Sequence, residues 1–149
     1  MIHFQDHALL LNQSYQHWFG DYLVDERDPG QVLAALNEDE RVIFSLGLEP
    51  EPVFNYGNVK ALGLFGFELA EFIQLPGRET MSQEQATIDQ MLQDEIGRRG
   101  FVADYTGLRL NKRGRVWQIE AGKVWQLTDN LGRLHGHAAC FSDWNALER

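Results

Sequence analysis

Apolar positions along the chain change period midway. Ala8, Leu11, Tyr15 and Trp18 recur at helical spacing, with Asp6 placed to cap that helix and Gly20 to stop it after Phe19. Asp28-Pro29 then sets a capping carboxylate before a proline at the first helical position and leads into Val32, Leu33 and Leu36. Residues 41–46 form a nearly continuous apolar run, Val42-Ile43-Phe44 at its centre, as a well-covered strand requires. Residues 53–66 predict a compact corner: a strand to Tyr56, a turn at Gly57, Asn58 as N-cap, a short helix through Ala61, Leu62 and Phe65, and Gly66 as its stop. A helical turn follows over 68–73, broken by Leu75-Pro76-Gly77.

Ser82 and Gln85 have capping-box spacing, and the helix they open aligns Ile88, Met91, Leu92 and Ile96 before Arg98-Arg99-Gly100 close it. From Phe101 the period becomes that of strands: 101–110, 116–127 and 134–141, separated by Asn111-Lys112-Arg113-Gly114 and Asp129-Asn130-Leu131-Gly132. On the middle strand Trp117, Ile119, Ala121, Trp125 and Leu127 alternate to one side and Gln118, Glu120 and Gln126 to the other, which predicts one covered and one mostly wet face. The pattern is α+β: a five-stranded antiparallel sheet with helices covering one face, preceded by N-terminal helices.

Composition narrows this picture. The 149 residues with 44% hydrophobic content predict a single domain over 1–149, an N-terminal helical segment over 1–38 and a sheet-bearing core over 41–144. No apolar run approaches the ~20 residues of a membrane span, and one cysteine offers no intramolecular disulfide, so a cytoplasmic protein is expected, without a membrane partner. A net charge of −9 argues against nucleic acid as a partner. Arg109, Lys112, Arg113 and Arg115 fall on a hairpin and read as a solvated turn. The helix over 6–19 carries Leu9 and Leu10 beside Leu11, Tyr15 and Trp18, more apolar surface than one small sheet is expected to cover, which predicts a homodimer through that helix.

Candidate chemistry is sparse. His135 and His137 lie two apart on a strand, but no third ligand is evident, so no metal is expected. Cys140 is out of register with His137, on the opposite face, which argues against a Cys-His pair and for an inert buried thiol. Asp104, Tyr105 and Arg109 share a strand, as an ion pair or an anchor for an anionic ligand. Phe44, Phe65, Tyr105, Trp117 and Trp125 can line a pocket or simply fill the core, with Asn55, Asn58, Arg109 and His137 as polar contacts.

Several separated blocks resemble the MEKHLA family: Phe54-Asn55-Tyr56 with Asn58, Ala61, Leu62 and Phe65; Leu75-Pro76 with Arg78; Asp104-Tyr105-Thr106-Gly107 with Arg109; and Gly114 with Ile119. The likeness continues through Val124-Trp125, Asp129, Gly132, Gly136, Ala138-Ala139, Phe141 and Trp144. Departures are Ser45-Leu46 where the family carries a Ser-His pair, Pro76-Gly77 for its Pro-Ser, and His137 for its usual Gln. The resemblance implies a PAS-like fold and, as in plant homeodomain leucine-zipper factors, a sensory or regulatory role. The short cysteine motif by which light-sensing PAS relatives bond a flavin is absent after Asn58, and no cofactor is specified. The expected function is a non-enzymatic sensory module that binds a small hydrophobic or aromatic molecule between sheet and helices and signals by association with an unidentified protein partner. The alternatives are a small NTF2-like enzyme using Asp104 and His137 in a polar pocket, and a ligand-free protein-interaction domain.

Overall fold

The computed structural model describes residues 3–147. Helices α1 (Phe4–Phe19) and α2 (Pro29–Glu38) precede strands β1 (Val42–Leu46) and β2 (Phe54–Gly57). Helices α3 (Val59–Phe65) and α4 (Leu69–Phe72), a 3-10 turn over Gly77–Thr80 and the long α5 (Gln83–Arg99) follow. Strands β3 (Phe101–Leu110), β4 (Val116–Thr128), β5 (Leu134–Phe141) and β6 (Asp143–Ala146) complete the chain. The sheet is antiparallel in the order β2-β1-β5-β4-β3. β6, which the sequence pattern does not mark, resumes pairing with β4 after Ser142, with Trp144 opposite Ile119. Three helices and a 3-10 turn between β2 and β3 are the arrangement that the PAS-like expectation requires; an NTF2-like chain would place its helices mainly at the N-terminus.

The corner at Asn58 is built as its sequence predicts, and it reaches further than a helix cap. Asn58 is fully buried. Its Oδ1 accepts from the Ala61 N–H at 3.0 Å, capping α3, and from the Ile43 N–H at 3.2 Å on β1. Its Nδ2 donates to the carbonyls of Leu36 at 3.0 Å, near the end of α2, and Arg41 at 2.8 Å. Both acceptor and both donor positions of the amide are thereby used.

The sheet is covered on both faces, not left wet on one. Helices α3–α5 cover the face carrying Phe44, Phe54, Ile119, Val124 and Phe141. α1 and α2 cover the other, where Ala8, Leu11 and Tyr15 meet Ile43, Trp125, Leu127 and Cys140. The Tyr15 ring stands edge-on to Trp125 at 5.1 Å, and the Trp18 indole N–H donates to Gln126 O at 3.0 Å. Much of the apolar surface from which a homodimer was expected is thus seated on the chain's own sheet; Leu9, Leu10 and Trp18 are only partly buried. Trp18 also packs over the left-handed Gly100 that ends α5, where a Cβ would lie 2.1 Å from the ring.

One residue explains why alternation along β4 misassigns its aromatics. Ala121 has φ 53, the sole positive value for a non-glycine among the described residues. At this bulge the side-chain parity inverts, so Trp117 and Ile119 face α3–α5 while Trp125 and Leu127 face α1. Helix α5 is also rotated from expectation. Ile96 is buried and Leu92 partly so, but Ile88 and Met91 are 51% and 72% exposed, because Gln85 and Asp89 take the inner face.

Asn58→Ala leaves four buried backbone groups without their partner, and the expected loss is about 3 kcal/mol, above the ~1 kcal/mol of a lost cap. Asn58→Asp keeps both acceptor roles but loses both donors, and should also be destabilised. Urea midpoints for the two variants measure this; a loss confined to a few tenths of a kcal/mol in both would show that the surrounding groups re-pair.

Candidate functional site

Strand β3 and helix α5 meet through a buried polar cluster. Asp89 accepts three hydrogen bonds: from Gln85 Nε2 at 2.8 Å, the Tyr105 hydroxyl at 3.1 Å, and Arg109 Nη2 at 2.8 Å. Arg109 also donates from Nη1 to Thr80 Oγ1 at 3.2 Å, and that hydroxyl donates to Gly77 O at 2.7 Å. Gln85 Oε1 accepts from the Leu108 N–H at 2.9 Å, which occupies a backbone donor of the edge strand β3. Backbone shape makes this cluster fit. A Cβ on Gly107 would lie 2.2 Å from the Tyr105 hydroxyl, so the glycine leaves the space the ring needs to lie along β3 toward α5. Irregular register between Val102 and Gly107 sets the inward direction of Tyr105 and Arg109.

Arg109 is 8% exposed, and its Nε is a buried donor without a protein partner. Beside it lies a cavity of about 20 Å³, lined by Phe44, Tyr105, Ile119, Val124, Phe141 and His137 among others. On the outer side of the same cluster a groove of about 590 Å³ runs between α5, the 3-10 turn and the loop of Pro50 and Pro52. Leu46, Asp89, Gln93, Arg109 and His137 line both spaces and form the partition between them. Arg78 and Glu51 pair at the rim of the groove.

His137 lies within 3.2 Å of Gln93 through Nε2. Burial, then the Arg109 guanidinium, lower its pKa to about 4, with Asp89 acting in the opposite direction, so the imidazole is neutral at pH 7. On the other face His7 Nε2 lies 2.8 Å from Ser45 Oγ, which donates to Asn55 Oδ1 at 2.5 Å. Burial and the nearby His135 lower the His7 pKa to about 4 as well. Burial pushes the Cys140 thiol up to about 11, as an inert thiol in the α1 layer requires.

The residues singled out in the sequence divide into two sets. Phe44, Tyr105, Arg109 and His137 line the small cavity together. Asn58 is consumed in the corner, Asn55 bonds Ser45, and Phe65 stacks in the α3–α4 core against Phe72. Trp117 lies at the margin of that core, and Trp125 belongs to the α1 face. Asp104 is exposed; the carboxylate that pairs with Arg109 is Asp89 of α5. Its signal was present: Gln85, Asp89, Leu92 and Ile96 share one helical phase, so polar groups interrupt an inward face. His135 bonds Asp129 at 2.9 Å, away from Gln93, so the two strand histidines have separate partners. Among the described residues no three His, Cys, Asp or Glu side chains cluster as a metal site, and no helix is long and apolar enough to cross a membrane.

The MEKHLA domain model matches residues 5–146. The homeobox-leucine zipper protein REVOLUTA of Arabidopsis thaliana is 24% identical over 157 residues, which cover 93% of this chain but 17% of that protein. A PAS domain from Colwellia psychrerythraea superposes with a TM-score of 0.65 at 14% identity, covering 79% of this chain and 95% of that one. A light-oxygen-voltage domain studied with a flavin analogue gives 0.62 at 15% identity, over 79% and 85%. An RNA-binding light-oxygen-voltage receptor gives 0.64 at 16%, over 79% and 33%. At these identities the likeness establishes the fold, which is that of PAS domains.

The two buried histidines give a pH test. Each has a folded pKa below the ordinary 6.5, so the unfolded chain binds protons more readily; stability is full above pH 6.5 and is lost as pH falls toward 4. Each imidazole should account for about 2 kcal/mol of loss by pH 5. His137→Gln should therefore lose roughly half as much stability as the parent between pH 7.5 and 5, read from denaturant midpoints. A variant that falls as steeply as the parent would mean that His137 is already charged in the folded chain.

Proposed function

This chain belongs to the MEKHLA domain family, and we propose that it is a non-enzymatic sensory or regulatory module of the cytoplasm. It binds a small molecule in the groove beside α5 and reports binding through altered protein association. The observation that carries this reading is the groove of about 590 Å³ ending on the buried Arg109–Asp89–His137 partition. Its size falls in the ~300–1,000 Å³ range of small-molecule sites, and its wall mixes Leu46, Pro52, Met81 and Ala86 with polar side chains that can orient a ligand, Arg109 and His137 among them. The non-enzymatic reading is supported by the chemistry of the cluster: Asp89 is paired with Arg109 and already accepts three hydrogen bonds, and Cys140 is protonated on the far face of the sheet.

A second reading has its own observation. The inner cavity, at about 20 Å³, holds no more than a water-sized group, which suits a ligand-free interaction domain. Native mass spectrometry of the chain purified from its own cells separates the two. A retained small molecule is expected, and a clean apo mass would favour the interaction domain. Association with a second copy through α1 has Leu9, Leu10 and Trp18 as its remaining apolar surface. Light scattering of the intact chain, beside a Leu9→Glu/Leu10→Glu variant, tests this: a dimer that the variant dissociates supports the α1 interface, and a monomeric parent removes it.

A further inference from the structure

We propose that the ligand of this groove is a neutral molecule of mixed polar and apolar character with a carbonyl-type oxygen, and that this oxygen accepts a hydrogen bond from Arg109 Nε. The proposal rests on the reading of the groove as a small-molecule site. It follows from counting hydrogen bonds around the partition. Asp89 accepts from Gln85, Tyr105 and Arg109, so the acceptor side of the cluster is well served. Arg109 has five N–H groups and uses one on Asp89 and one on Thr80; Nε is buried without any partner. The site therefore lacks an acceptor, and an unpaired buried donor costs about 1–3 kcal/mol that an incoming oxygen recovers. Arg109 lines the groove as well as the cavity of about 20 Å³, so an oxygen reaches it from the groove side, and the cavity has room for one such atom but not for a ring.

Charge decides between a carbonyl and a carboxylate. Asp89 already balances the guanidinium at 2.8 Å. A carboxylate would place a second negative charge on the same buried cation, beside a neutral imidazole, in a chain of net charge −9. A neutral oxygen satisfies the donor without that cost. The body of the ligand meets a mixed wall, in which Leu46, Pro50, Pro52, Met81 and Ala86 alternate with Gln83, Thr87 and Gln90, so a ring with a short uncharged polar arm suits it.

Phenylacetamide and phenylacetate, alike in ring and length, serve as probes in NMR titrations of the ¹⁵N-labelled intact chain. The readouts are the Arg109 Nε–H resonance, assigned through its side-chain correlations, and the backbone amides of Ala86 and Gln90 at the groove. Phenylacetamide is expected to move both sets and to bind roughly ten-fold tighter than phenylacetate. Arg109→Lys, which keeps the positive charge against Asp89 but lacks Nε, should lose that preference; should it not fold, the two titrations of the parent decide. Tighter binding of phenylacetate, or groove amides that shift while Arg109 Nε–H stays still, overturns the neutral-acceptor assignment and leaves the groove as a binding site. No shift of the groove amides with either probe overturns the small-molecule reading itself.

Discussion

A single buried amide ties the two halves of the molecule together. Asn58 joins α2 through Leu36, β1 through Ile43 and the preceding Arg41, and α3 through Ala61, and its own N–H donates to Ile43 O at 3.0 Å. The α2 layer lies on one face of the sheet and the α3 layer on the other, so the amide fixes how both layers meet the first strand. Apolar contact alone sets no such register, because packing tolerates small slides that directional hydrogen bonds do not. From β1 the order propagates: β1 aligns β5 from Val42–Phe141 to Leu46–His137, and β5 aligns the second half of β4. The position of His137 in the partition is therefore a downstream result of the corner.

Local chemistry made much of this fold legible. Asp28, Asn58 and Ser82 each cap the helix that follows, their side chains accepting from the backbone N–H groups of Gln31, Ala61 and Gln85, and Gly20, Gly66 and Gly100 adopt the left-handed conformation that ends one. These signals lie within four residues of their effect. The misses are matters of longer range. Alternation cannot reveal the bulge at Ala121, because an alanine carries no mark of a positive φ, and a one-residue shift sends Trp125 to the opposite face. Nor does an amphipathic helix state what covers it: the stripe of Leu11, Tyr15 and Trp18 suits a partner's surface as well as its own sheet, and the choice was settled by Trp125, Leu127 and the carbonyl of Gln126.

The site was half legible for a related reason. Strand residues Tyr105 and Arg109 stood out because they share a strand with Asp104, as an ion pair or an anchor for an anionic ligand. Their carboxylate did not, since Asp104 lies next to them in sequence whereas Asp89 arrives from another element. Pairing across elements depends on helix rotation, and α5 turns its polar stripe of Gln85 and Asp89 inward while leaving Ile88 and Met91 in solvent. A helix that exposes a methionine and an isoleucine to bury a glutamine and an aspartate gives up apolar burial, at ~25 cal/mol per Å², for polar contacts that are individually modest.

That exchange bears on what the cluster is for. A buried ion pair is weak evidence for stability, since desolvation offsets much of its attraction and an apolar replacement of similar volume often serves as well. Here the pair is also incomplete, with one arginine donor unmet beside a cavity. The two ends of α5 are attached differently: toward its C-terminus Ile96 enters the apolar core, whereas toward its N-terminus Gln85 and Asp89 hold Leu108, Tyr105 and Arg109 by hydrogen bonds. Arg109 is thus tied to the hydrogen-bonded N-terminal half of α5, the half that carries the exposed Ile88, while the other end of the helix is anchored by apolar burial.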